Sequence, residues 1–407
     1  MPYAPHISEK ITFEGGRGGM LSARLDLPFG PPRAFALFAH CFTCTKDLLA
    51  VSRLAGGLTR HGIAVLRFDF TGLGSSEGEF ANTNFTSNTD DLVAAADWLR
   101  AHHRAPQILI GHSLGGAAVL AAAHRIAECK AVATIGAPYD PEHVTGHFGQ
   151  ALDEIRTNGA AEVSVGGRPF TIEQHFLDDI STQNMHAAIA GLGRALLIFH
   201  APHDEIVGLE NAEKIFVAAR HPKSFVSLDD ADHLMHNPDD ALYVSAVIAS
   251  WADRYIDVAL DEGETITGNV EVSETGLGKF HQRVLVNGVH VLEADEPQAF
   301  GGLDLGPSPY DFLLAGLGAC TAMTLRMYAD RKQLPLNKVT VRLHHDKVHG
   351  QDCDGQAGKI DVIERVVVMD GDLKAEERAR LLEIADKCPV HKTLHAPVKI
   401  ITSEGRP

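Results

Sequence analysis

A serine and a pair of cysteines stand in this chain in settings that suit two unrelated chemistries. The serine is Ser113 in Gly111-His112-Ser113-Leu114-Gly115, a fit to G-x-S-x-G. The apolar run Gln107 to Ile110 precedes it and the alanine-rich stretch Ala117 to Ala127 follows, so the serine falls at a strand-to-helix turn. Such a turn has no room for side chains beside the serine, hence the glycines. A serine hydroxyl is a poor nucleophile until a histidine takes its proton and an acid orients that histidine. Asp204 follows the apolar run Ala195 to His200, and His233 follows Ser224 to Leu228. Both fall just beyond strand ends, where open α/β sheets place their sites, and in the chain order serine, acid, histidine. The arrangement predicts Ser113 as nucleophile, His233 as base and Asp204 as the orienting acid. His203, His221 and His236 read as solvated loop residues, and Asp232 adjoins His233 too closely in sequence to orient it. The thiols are Cys320, in Gly318-Ala319-Cys320, and Cys388, in Cys388-Pro-Val-His-Lys-Thr-Leu394. Pro389 opens a helix, and exposed N–H groups at a helix start stabilise a thiolate at Cys388. The alternative is that Ser113 merely begins a helix, Cys320 is a small core residue and Cys388 another helix start.

The elements that must position these groups fall into two blocks. Short unalternating apolar runs at Phe35 to Ala39, Ile63 to Phe70, Gln107 to Ile110, Ala131 to Ile135 and Ala195 to His200 read as parallel strands covered on both faces. Helical stretches at Ser87 to His102, Leu114 to Ala127, Glu210 to Ala219 and Asp240 to Tyr255 alternate with them, which predicts a doubly wound, mostly parallel α/β sheet over residues 1–257. Between Ile135 and Ala195 the rhythm breaks, so a short cap is expected at about 138–193, with a small hairpin near Val163 to Phe170. Residues 258–264 are acidic and aperiodic and read as a linker. Residues 265–407 read as α+β: alternating stretches at Thr265 to Val272 and Lys279 to Leu292, the second turning at Asn287-Gly288, then a long helix from Pro309 to Arg331. Strands at Lys338 to Val348 and Lys359 to Met369 and helices at Leu373 to Asp386 and Pro389 to Leu394 complete it. The long helix is apolar on nearly every face, so a buried central helix is expected, with Cys320 inside.

The chain has 407 residues, 45% of them hydrophobic, enough for a core in each block. Its 53 acidic and 36 basic residues give a formal net charge of −17, which repels nucleic acid and anionic membranes. No run reaches the ~18 uninterrupted apolar residues of a membrane span, and the N-terminus lacks a signal-peptide pattern. A cytoplasmic location is expected. Six scattered cysteines make no disulfide framework, so functional thiols are expected instead.

Over about residues 10–255 the chain resembles the α/β-hydrolase family, which implies the triad Ser113, Asp204 and His233. The oxyanion hole then comes from the backbone N–H of Leu114 and from the loop His40-Cys41-Phe42-Thr43-Cys44-Thr45-Lys46-Asp47, similar to the family's His-Gly loop, with Phe42 as donor. Cys41 stands where members usually have glycine, and Cys41 and Cys44 also form a C-x-x-C that suits a redox pair. Asp69 to Gly78 looks like the family's glycine-rich turn and reads as structural. A short cap with Phe148, Phe170, Phe176 and Met185 points to a carboxylesterase acting on small or aromatic acyl esters.

From about Glu264 to Glu404 the chain resembles the OsmC/Ohr family of thiol-dependent hydroperoxide reductases, on Gly306 to Met323 (GPSPYDFLLAGLGACTAM) and Cys388 to Leu394. The resemblance implies that Cys320 attacks an organic hydroperoxide, that Cys388 closes a disulfide on the resulting sulfenate, and that a thiol reductant reopens it. It also implies an arginine beside the attacking thiol, for which Arg283 is the candidate and Arg326 the second, and a carboxylate early in the long helix, here Asp311. The family pairs two chains, so a homodimer through this domain is expected, and the domain's whole role could be dimerisation or ligand binding. No cofactor is expected. His344, His345, His349, Cys353, His391 and His395 match no standard metal-ligand spacing, so no metal site is assigned.

Overall fold

Five strands, β3 (Ala34–Ala39), β4 (Ile63–Phe68), β5 (Ile108–His112), β6 (Ala131–Ile135) and β9 (Ala195–His200), are buried along their whole length. Their side chains alternate between two cores: Phe35, Leu37 and Leu109 belong to one face, Ala36, Phe38 and Ile110 to the other. That double burial is why they read as unbroken apolar runs. The computed structural model describes residues 7–28, 32–42, 44–165, 168–257, 269–276, 278–349 and 359–404. It divides into two units, Met1–Thr267 and Gly268–Pro407. The expected linker at 258–264 lies outside the described residues.

In the first unit eight strands form one sheet in the order β1-β2-β4-β3-β5-β6-β9-β10, where β1 is Ile7–Glu14, β2 Met20–Leu27 and β10 Lys223–Ser227. The β1/β2 hairpin and the β2/β4 pair are antiparallel and all other pairs are parallel. After β4 the chain returns to the far side of β3 to lay down β5, so the strand order reverses at β3 and β5. The crevice beyond their carboxyl ends is where such sheets hold their ligands. One face is covered by α2 (Phe85–His102) and α3 (Leu114–Ala122), the other by α1 (Leu49–Arg60) and α8 (Pro238–Ala252). Between β6 and β9 the cap contains α4 (Ala151–Asn158), the hairpin β7 (Ala160–Val165) and β8 (Arg168–Glu173), α5 (Gln174–Ser181) and α6 (Met185–Ala190).

The second unit opens with a three-stranded antiparallel sheet, β11 (Val270–Glu274), β12 (Gln282–Val286) and β13 (His290–Ala294), with Asn287 and Gly288 both at positive φ in the predicted turn. A 24-residue helix, α9 (Pro309–Lys332), follows, then the long hairpin β14 (Leu336–His349) and β15 (Lys359–Gly371), and α10 (Ala375–Ala385) and α11 (Pro389–His395). The expected burial of α9 holds for one stripe only. Leu317, Thr321, Leu325 and Ala329, spaced by four residues, are buried against β14, α10 and α11, whereas Met323 and Met327 are 66% and 73% exposed. Apolar composition shows how much of a helix can be covered, and a two-stranded hairpin with two short helices covers a single face. α9 is also long and apolar enough to cross a membrane, but its stripe packs as that of a domain helix does.

Candidate active sites

Ser113 sits between β5 and α3 with φ 54° and ψ −127°, a strained backbone for a residue with a side chain. The strain is fixed from both sides: Ser113 N–H donates to the Ile135 carbonyl at 2.9 Å, and Gly116 N–H donates to the Ser113 carbonyl at 2.7 Å. The glycines are needed because a Cβ on Gly111 would run into the Gly115 carbonyl, and one on Gly115 into the carbonyl oxygens of Ala39 and His40. Gly115→Ala is therefore expected to push α3 away from the end of β3 and cost about 1–3 kcal/mol. A melting temperature equal to wild type would contradict this close approach.

His233 and Asp204 are brought together beyond the ends of β10 and β9. His233 Nδ1 donates to Asp204 Oδ2 at 2.7 Å, and the other Asp204 oxygen accepts from the N–H groups of Ile206 and Val207, each at 2.9 Å. Burial alone would raise the Asp204 carboxyl, but His233 and the two N–H groups outweigh it and hold it below its ordinary value. Gly136, at φ 54°, lets the pair approach the end of β6: a Cβ there would stand 3.2 Å from Asp204 Oδ2 and 3.3 Å from His233 Nδ1. The His233 backbone is tied to the neighbour of Ser113, since its carbonyl accepts from His112 Nε2 at 2.7 Å. Burial, followed by the proximity of His233, pushes His112 down to about 3, so it is neutral and carries one N–H. Ser113 Oγ makes no hydrogen bond among the described residues. His203, His221 and His236 are exposed, as expected, and Asp232 is occupied by His236 and by the N–H groups of Leu234 and His236.

The loop after β3 passes directly beside the start of α3, where the carbonyl oxygens of Ala39 and His40 face Gly115. Phe42 is buried, its ring 5.3 Å from Phe80 and 5.5 Å from Phe176 of the cap; Phe80 lies 4.9 Å from Phe170, and Phe148 lies 6.4 Å from Phe176. An aromatic wall thus runs from the loop into the cap. The far end of the loop is anchored by buried charge. Lys46 Nζ donates to Asp69 Oδ2 at 2.6 Å, its N–H donates to Asp69 Oδ1 at 2.7 Å, and its carbonyl accepts from Arg67, which also pairs with Asp26. The glycine-rich turn after Asp69 is structural: Gly74, at φ 56°, leaves room only for the Asp69 carboxylate. Cys41 and Cys44 are joined by a disulfide with a Cα–Cα separation of 5.2 Å.

In the second unit Cys320 lies half-buried on α9 and Cys388 is fully buried at the start of α11. Cys388 Sγ accepts from the His391 N–H at 3.3 Å and lies 3.6 Å from the Thr321 hydroxyl, with Cys320 nearby. Burial works against a thiolate here, but these donors and the charge of Arg365 outweigh it and set Cys388 below the ordinary thiol value. A cation close to Cys388 within this chain is Arg365. Arg365 reaches Thr321 Oγ1 at 3.1 Å, the Ala385 carbonyl at 3.2 Å and Asp386 at 2.6 Å. Arg283 stands in β12 opposite Ser273 and Glu293, and Arg326 holds the carbonyl oxygens of Leu336 and Asn337. Asp311, the expected carboxylate, completes the capping box of α9 with Ser308. It stands nine residues from Cys320, about 14 Å of helix rise. Arg365 had a signal in the sequence: in β15 it shares the period-2 face of Val367 and Met369, which pack on the core of this unit. Arg365→Met is expected to raise the pH at which the Cys388 thiolate forms, read by thiolate ultraviolet absorbance in a Cys320→Ser background; an unchanged titration would contradict the assignment.

Of the histidine cluster, His345 pairs with Asp361 at 2.8 Å, the His391 and His395 rings lie 4.4 Å apart and tilted, and Cys353 lies outside the described residues. Among the described residues, the group with three ligand atoms within 4.8 Å of one another is Cys41, Cys44 and His112.

Residues 30–168 match a family model described as serine aminopeptidase, S33, and residues 301–403 one described as OsmC-like protein. The esterase domain of a Rhodothermus marinus protein is 54% identical, with 62% of this chain and all of that chain covered and a TM-score of 0.53. Est1E from Butyrivibrio proteoclasticus, solved with ferulic acid bound, shares the fold at 20% identity, covering 60% of this chain and 98% of that one with a TM-score of 0.53. The uncharacterized protein YfhR of Salmonella typhimurium is 27% identical over 238 residues, 56% of this chain and 76% of the relative. On its fold, its strained serine turn and these relatives, the chain belongs to the α/β-hydrolase family and carries an OsmC-like domain behind its hydrolase unit.

Proposed function

We propose that the first unit is a carboxylesterase for small or aromatic acyl esters. The observation that carries this is the strained Ser113 at the end of β5 together with the 2.7 Å bond from His233 to Asp204. Ser113 Oγ attacks the ester carbonyl while His233 takes its proton on Nε2, since Nδ1 is committed to Asp204. The N–H groups of Phe42 and Leu114 receive the oxyanion. His233 returns the proton to the leaving alcohol, and water then repeats the sequence on the acyl-enzyme. The aromatic wall from Phe42 through Phe80, Phe170 and Phe176 suits a flat acyl group, and the 54%-identical relative is described as an esterase domain.

The second unit we infer to be a thiol peroxidase. The half-buried Cys320 sulfur attacks the hydroperoxide, the O–O bond breaks, and the proton given up by the Cys320 thiol goes to the leaving alkoxide, which departs as alcohol. Cys388, held as thiolate, then attacks the Cys320 sulfenic sulfur and releases water. A dithiol reductant reopens the bond at Cys320, because the stabilised Cys388 is the better leaving group. Cys320→Ser and Cys388→Ser should each abolish turnover of cumene hydroperoxide with dithiothreitol while p-nitrophenyl acetate hydrolysis continues, since the two sites lie in different units. Wild-type protein inert toward the peroxide would leave the second unit as a dimerisation or binding module. The uncovered face of α9, with Met323 and Met327, and the exposed Val398, Ile400 and Ile401 favour a homodimer through this unit. A chain ended after residue 257 is then expected to sediment as a monomer that still hydrolyses esters; a dimer would contradict this placement.

A further inference from the structure

The loop that supplies Phe42 to the oxyanion hole is closed on itself by the Cys41–Cys44 disulfide, with the Cys44 N–H donating to the Cys41 carbonyl at 3.1 Å. One neighbour of this bridge is a buried polar atom without a partner. His112 is 1% exposed, its Nε2–H is spent on the His233 carbonyl, and its Nδ1 has no hydrogen bond. A ring nitrogen of His112 and the two sulfurs lie within 4.8 Å of one another. Because Nε2 carries the proton, Nδ1 holds the lone pair, and a buried acceptor left without a donor is costly. A disulfide has no hydrogen to give it, whereas a cysteine thiol does. The arrangement therefore provides for two states: a bridged one that pins the loop, and a dithiol one that satisfies His112.

We propose that Cys41, Cys44 and His112 form a second thiol–disulfide site, in the hydrolase unit, whose oxidation state sets the position of the Phe42 N–H and with it the rate of ester hydrolysis. The inference rests on the esterase reading above. The bridged form is the active one. Two unbonded sulfurs cannot stay at bonding distance, and the loop must take up the change. His112 is fixed by β5 and the His233 carbonyl, and the chain beyond Cys44 is fixed by Lys46 on Asp69. What moves is the segment holding Phe42. Oxidation proceeds by exchange with a low-molecular-weight disulfide such as glutathione disulfide. One cysteine thiolate attacks it and releases a thiolate; the second cysteine then displaces the other half, and the two protons lost from the protein go to the two released thiolates. A dithiol reverses the sequence.

The test uses the full chain, equilibrated in oxidised or reduced glutathione, quenched and desalted. Each sample is read twice: by differential alkylation with mass spectrometry at Cys41 and Cys44, and by kcat for p-nitrophenyl acetate. Cys320→Ser is run in parallel so that no Cys320–Cys388 disulfide can form. The expected result is a drop in kcat of about tenfold on reduction, tracking the opening of the 41–44 bond, in both proteins, less than the 10²–10³-fold for full loss of an oxyanion donor. Cys44→Ser should sit at the reduced value and ignore the glutathione ratio. The proposal is overturned if Cys41 and Cys44 alkylate fully in the oxidised sample, or if the bond opens and kcat stays put. Ser113→Ala separates the two failures. Activity that depends on Ser113 but is indifferent to the bridge removes only the switch, whereas ester hydrolysis that survives Ser113→Ala removes the esterase reading and the switch with it.

Discussion

Ser113→Ala is expected to lower kcat for p-nitrophenyl acetate by about a millionfold, with KM little changed. Removing the nucleophile of a serine–histidine–acid set forfeits the whole covalent route, and the remaining rate over water comes from oxyanion donors and binding alone. The change is chemical and not structural. Ser113 Oγ makes no hydrogen bond among the described residues, and alanine meets the same backbone at φ 54° with no larger side chain. The variant should melt with wild type. A loss of activity accompanied by a fall in melting temperature would instead mean that the serine holds the turn together.

Asp204→Asn is the second large effect, about ten thousandfold in kcat. Asp204 gives one oxygen to His233 Nδ1 and the other to the N–H groups of Ile206 and Val207. An asparagine can keep the turn by leaving its carbonyl on the two N–H groups, but it then points an NH₂ at Nδ1. The imidazole responds by carrying its proton on Nε2, the nitrogen that must receive the serine's. Loss of the carboxylate also removes the charge that stabilises the imidazolium. Because the three residues act as a unit, the double variant Ser113→Ala/Asp204→Asn should be no slower than Ser113→Ala alone. A fall that multiplied the two separate losses would mean that Asp204 acts elsewhere.

The hydrolase half of the site is legible in the sequence because each group stands directly after an apolar run, and a parallel sheet delivers all its strand ends to one edge. Other parts are not. Helix α1 contains Gly56 and Gly57, which weaken a helical pattern; Gly57 is there because a side chain would strike Ser245 of α8. The β1/β2 hairpin packs through Phe13, Leu21, Ala23 and Leu25 on one side of its strands. In the second unit the thiol pair is legible and its surroundings are not. Arg365 approaches Cys388 only because the β14/β15 hairpin packs on α9 through β14, a pairing set by tertiary packing. Asp311 falls three residues after Ser308, and local capping takes it before any distant partner can. The apolar surface of α9 reads as burial in a sequence, whereas in one chain only the stripe from Leu317 to Ala329 has elements to pack against.

The central claim is that Ser113 is a nucleophile activated by His233 and Asp204. It is tested most directly by treating the full chain with a fluorophosphonate and mapping the adduct by peptide mass spectrometry. A single adduct on Ser113, formed in step with the loss of ester hydrolysis and absent from denatured protein, is the predicted result. An adduct elsewhere, or hydrolysis that continues after Ser113 is fully modified, would contradict it.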